Sequence, residues 1–151
     1  MAAKKANLSV KDKVDHMLDE IRVVLPGTQA LLGFQLAAFF SNGFEQIPLF
    51  LRYMHLVSLG FILICIMLLM TPVAYHQIVN RGEDTEKFHS FSSKILLLTL
   101  VFMGLGLATD VYVVTHITTK SNDISLYASL ILLLAFNLFW FGFTLFKRNG
   151  K

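Results

Sequence analysis

Asp110 is the residue whose chemistry most needs an account. It stands between Thr109 and Val111 in a long apolar stretch, seven residues before the end of that stretch at Ile117, or about 10 Å of helical rise. A carboxylate facing lipid costs about 2.5–3.5 kcal/mol or more, so it must be protonated, paired or wet. Arg52, His55 and His116 fall on the same side of the topology derived below and are its candidate partners, with the more distant Glu45 beside them. A structural ion pair and a proton or cation site both fit these residue types.

Amides form a second constellation. Gln29, Gln35 and Asn42 lie in the first apolar stretch, which opens after Asp19, Glu20 and Arg22 and is interrupted at Pro26-Gly27. At helical spacing Gln29, Gly33 and Ala37 share one side, and Gln35 and Asn42 share another. Amides on two faces need a place inside a bundle or at a subunit interface. They serve there either as interhelical hydrogen bonds, worth about 0.6–2 kcal/mol each, or as the lining of a water-filled path.

Glu20 and Arg22 precede the proline at the opposite side, where His76 and His89 reach the same level. Paired, they would form a gate or lock the N-terminal helix to the bundle. His16, four residues from Asp12 and from Glu20, is expected on a solvated face, and no metal site is assigned. Cys65 is alone, so neither a disulfide nor a cysteine-based metal site can form, and it is expected among lipid-facing neighbours. No HExxH, phosphate-binding loop or nucleophile elbow occurs. No enzyme activity and no cofactor are expected.

The elements that must position these residues are helices. The chain has 151 residues, 55% hydrophobic and only 15% charged, with mean hydropathy +0.62. Four stretches, at about 23–44, 53–75, 95–117 and 124–146, each match the ~30 Å hydrocarbon core of a bilayer. Leu59–Met70 and Leu130–Trp140 are continuously apolar, unlike the alternating strands of a barrel. Backbone pairing in lipid then requires helices. The expected fold is all-α, one membrane domain over residues 1–151, a four-span bundle with short connections.

Ahead of the first span, residues 9–25 carry apolar side chains at Val10, Val14, Met17, Leu18, Ile21, Val24 and Leu25. This is an amphipathic helix, with Ser9 and Asp12 as a capping box. It is expected along the interface or beneath the bundle, bending into the membrane at Pro26-Gly27. Gly33, Ala37 and Ser41, and Gly104 and Ala108, are spaced for close helix approach.

Charge sets the orientation. Eleven of the 13 Lys and Arg lie before span 1, between spans 2 and 3, or after span 4; Arg52 and Lys120 are the exceptions. The positive-inside rule places both termini in the cytoplasm. The net charge of +3 follows from this bias, so nucleic-acid binding is not expected.

Two short motifs carry a resemblance. Glu20-Ile-Arg22-Val followed by Gly27-x-Gln29, and Pro72-Val-Ala-Tyr-His76 closing span 2, resemble the signature of a family of small bacterial four-helix membrane proteins of unknown function. Some of its members carry the label sodium/proton antiporter. The resemblance runs from about Leu18 to span 4. It implies the same topology, a bacterial inner membrane and a link to cation transport.

The expected function is a small oligomeric channel or transporter for a monovalent cation or proton, with span 1 lining the path. Four short helices rarely enclose a hydrated path alone, so a homo-oligomer in the lipid bilayer is expected with it. The competing expectation is a structural or accessory membrane protein that binds a partner or lipid and transports nothing. Transport or gating candidates are Glu20, Arg22, Gln29, Gln35, Asn42, His76 and Asp110. Glu45, Arg52, His55 and His116 are the outer-side polar partners.

Overall fold

A computed structural model describes residues 9–81 and 83–149. The chain forms α1 (Val10–Phe39), a 3-10 turn (Phe44–Gln46), α2 (Leu49–Ile78), α3 (Glu86–Thr119) and α4 (Asn122–Asn137). A π-helical turn (Leu138–Gly142) continues α4 into α5 (Phe143–Asn149). Four helical stretches are long and apolar enough to cross a membrane, the last being Asn122–Lys147. The protein is an all-α, four-span membrane protein whose described ends lie at the same end of the bundle.

Helix boundaries follow local chemistry. Ser9 caps α1 in a reciprocal box with Asp12, Thr85 accepts from the Phe88 amide to open α3, and Ser121 opens α4. Lys120, left-handed at φ 55, ends α3 and leaves two residues between α3 and α4. Antiparallel packing follows from such short links.

Pro26 does not bend a surface helix into the membrane, as the sequence suggested. It lies inside one continuous 30-residue helix. The ring is on the exposed side, and the Thr28 hydroxyl donates to the carbonyls of Val24 and Leu25 around the proline. Contacts on the opposite face continue through it, because the buried residues Val14, Ile21, Thr28 and Gln35 recur every seven positions. On α2 burial alternates by four and three: Leu51, His55, Ser58, Ile62, Cys65, Leu69 and Pro72. On α3 it passes through Ser92, Thr99, Gly106 and Val113. A seven-residue period is the signature of left-handed coiled-coil packing, and here many of its positions are small or polar.

Three further expectations change. α1 stops at Phe39, so Asn42 lies in the connection and not on a helix face with Gln35. Cys65 is fully buried, its thiol 3.4 Å from the Thr99 carbonyl, because small residues on α2 and α3 allow the backbones to approach there. Central position within the chain belongs to α3, which packs against α1, α2 and α4. α1 lies to one side, with Gln29, Gly33 and Ala37 all exposed.

At 30–34 residues, α1–α3 are about 45–50 Å long and outreach the hydrocarbon core. The end that holds the termini is the one with a charged outer surface, at Lys11, Asp15, His16 and Asp19. There Val14, Met17 and Ile21 pack on Leu69 and Phe88, with Tyr75 stacked on Phe88 at 6.0 Å. The amphipathic segment is thus the first part of α1, packed alongside α2 and α3 and not beneath the bundle.

Candidate functional site

The heptad seam brings four polar side chains together in the half of the bundle away from the termini. Gln35 comes from α1, His55 and Ser58 from α2, and Asp110 from α3. The Gln35 amide nitrogen donates to Ser58 Oγ at 2.8 Å and to Asp110 Oδ2 at 2.5 Å. Ser58 donates in turn to the Gly106 carbonyl at 2.8 Å. That last bond needs α2 and α3 in close contact, and Gly106 permits it: a Cβ there would stand 3.0 Å from Ile62 Cδ1.

His55 is oriented by its Nε2, 3.0 Å from the backbone oxygen of Gln35. A carbonyl only accepts, so Nε2 carries a proton. The other ring nitrogen, Nδ1, faces Asp110 Oδ1 at 3.6 Å. A neutral imidazole with Nε2 protonated would present a lone pair to a carboxylate lone pair. At 3.6 Å the two atoms are beyond hydrogen-bond distance, and a proton on either group would make their approach an attractive one.

Gln35 and His55 are 6% and 7% exposed, so the pair is shielded on two sides. Asp110, with a quarter of its side chain accessible, borders a cavity of about 290 Å³ between α1 and α3. Gln35 Oε1 and Asp110 Oδ1 are buried without hydrogen-bond partners, which leaves two oxygens free to accept. Below the cluster the seam continues as Ile62, Cys65 with Thr99, and Leu69, all buried. Access is from the far end and not through the chain.

The remaining candidates disperse. Arg22 bonds Asp19 at 2.8 Å and not Glu20, which is exposed; the expected Glu20–Arg22 lock is absent within the chain. Lys13 to Glu86, at 2.6 Å, and the apolar contacts of α1 hold that end instead. Arg22 and His76 border one small cleft with Val73 and Gln77, and His76 approaches Asp84 at 3.2 Å. Gln29 faces away from the bundle. Asn42, Glu45 and Arg52 line a separate far-end cavity. His116 stacks on Tyr112 at 5.9 Å and does not join Asp110. Among the described residues no group of three His, Cys, Asp or Glu is placed to hold a metal ion.

Ser58 and Gly106 escaped notice in the sequence, although both keep the seven-residue period. Glu86 and Asp12 stand in the first turns of α3 and α1, beyond the apolar stretches. The hydrogen bond from Lys13 holds Glu86 below its ordinary value, and the bonds to Ser9 do the same for Asp12.

These features define a class: a small four-span membrane protein with a polar seam and a buried carboxylate–imidazole pair. Residues 7–144 match the family of unknown function DUF6328, and the chain belongs to that family. No curated protein and no solved structure matches it.

Proposed function

We propose that the protein is a small transporter for a proton or a monovalent cation, carried at the His55–Asp110 pair. One observation carries the reading: a carboxylate and an imidazole 3.6 Å apart, set within membrane-spanning helices and bordering a cavity. Ionisable groups at such depth are costly and generally mark ion or proton pathways. Gln35 is the contribution of α1 to the path. The outward-facing Gln29, Gly33 and Ala37 would meet a second copy, which the sealed lower seam makes necessary for a complete route. The charge bias favours both termini in the cytoplasm, and the resemblance of the two short motifs to a bacterial family is what favours a bacterial inner membrane.

The test is flux in proteoliposomes under imposed pH and potential gradients, comparing the wild type with Asp110→Asn. Loss of about tenfold or more in the variant is expected for an essential charge. Wild-type vesicles no leakier than empty ones would overturn transport. They would favour the second reading, an accessory protein that binds a partner. The feature supporting that alternative is the last span, Asn122–Lys147, which has nothing buried in its most apolar window and so presents a long face for a neighbour.

A further inference from the structure

A far-end cavity of about 550 Å³ lies beside the His55–Asp110 site and shares Ser41 and Phe44 with its vestibule. Its wall carries one acid, Glu45, and one base, Arg52, with Asn42 and Ser41 between helix ends. The two charges border one space, yet among the described residues the four ion pairs do not include them. Arg52 Nε is buried without a hydrogen-bond partner. An outside acceptor would therefore meet the terminal nitrogens of the guanidinium, which no ion pair among the described residues holds.

Two features narrow the acceptor. α2 begins at Leu49 in this wall with no side chain capping it; the amides of Leu51 and Arg52 bond the Pro48 carbonyl, and the positive end of the helix dipole favours an anion. Around the charges stand Phe40, Leu49, Tyr53 and Leu56, all large, apolar-bodied and exposed. They lie at the end of α1 and the start of α2, and the ends of membrane-spanning helices are where headgroups meet acyl chains. A ligand that matches has a phosphate for Arg52, a hydrogen-bonding ammonium for Glu45, and hydrocarbon for the aromatic and leucine rim.

We propose that this cavity is a binding site for the headgroup of an aminophospholipid, phosphatidylethanolamine, held by Arg52 at its phosphate and by Glu45 at its primary ammonium. Phosphatidylglycerol supplies the phosphate but nothing for Glu45. Phosphatidylcholine supplies a cation that cannot donate a hydrogen bond to the carboxylate. The selectivity order therefore follows from the pair of charges and not from hydrophobicity.

The experiment is native mass spectrometry of the full chain released from nanodiscs holding the three lipids in equal amounts. The wild type should retain one phosphatidylethanolamine with about fivefold preference over either competitor, and Arg52→Gln should reduce retention by a similar factor. Glu45→Gln should keep lipid bound but bring phosphatidylethanolamine and phosphatidylglycerol level. Arg22→Gln, at the other end, should change nothing, and unchanged helical circular dichroism checks that each variant is folded. Equal retention of all three lipids by the wild type would overturn the proposal. So would retention of phosphatidylethanolamine by both far-end variants at the wild-type level. The readout is independent of flux, so the site and the transport reading can fail separately.

Discussion

The two halves of the same helical seam are built by opposite rules. Near the termini it is Val14, Met17, Ile21, Leu69 and Phe88, with charged residues such as Lys11, Asp15, His16 and Asp19 on the outer surface. Towards the far end it is Thr28, Gln35, His55, Ser58, Thr99 and Gly106, with Phe34, Leu56 and Leu63 turned outward. The charged outer surface of the first half suits water, where burying apolar area is the driving force. In the second half lipid tails are as apolar as any core, so helices gain by hydrogen bonds and close approach of small residues. Where a heptad position changes from apolar to polar along one helix, it reports the passage from water to lipid. The Gln35–His55–Ser58–Asp110 cluster sits in the half where polar contacts hold the helices together.

That contrast predicts different responses to truncation. Phe88→Ala removes a fully buried ring from the half near the termini and should cost about 3–4 kcal/mol, measured by reversible unfolding in mixed micelles. Ser58→Ala deletes two hydrogen bonds from the lipid-embedded half and should cost only about 0.6–2 kcal/mol in the same assay. Equal losses from the two would erase the distinction between the halves. Ser58→Ala should nevertheless lower flux more than Phe88→Ala does in folded protein, because it frees the Gln35 amide from its place against Asp110.

The smallest effect concerns acid. Glu86 titrates below its ordinary value of 4.5 when folded, owing to Lys13. A depressed carboxylate contributes stability above the unfolded value and loses it as pH falls through the folded one. Both groups are exposed, so the loss should be slight and confined to the base of α1. Protection factors of amides near Lys13, corrected for intrinsic exchange, should fall below about pH 4.5 in the wild type and show no such step in Glu86→Gln.

Much of the architecture could be read from hydropathy alone. Segments long enough to cross a bilayer must pair their backbones internally, so the four helices follow without knowledge of any contact. Asp110 was identifiable for the same reason: its cost in lipid is a property of the residue and its depth. Pro26 misled because a proline in isolation breaks a helix. Here the stripe Val14–Ile21–Thr28–Gln35 is gripped by α2 and α3 on both sides of it, and tertiary contact outweighs the local penalty. The polarity of α1 likewise could not say which amide faces inward; Gln35 does and Gln29 does not.

Composition, span length and charge bias therefore determined a four-helix membrane protein carrying a carboxylate that requires a partner. The tertiary structure alone decided which partner. His55, Gln35 and Asp110 are separated by 20 and 55 residues along the chain, and each had other polar groups within plausible reach. Their meeting depends on α2 and α3 closing to the distance that Ser58 and Gly106 allow, and on the seven-residue register of α1 against both. Register and close approach are properties of three packed surfaces, which no single segment contains.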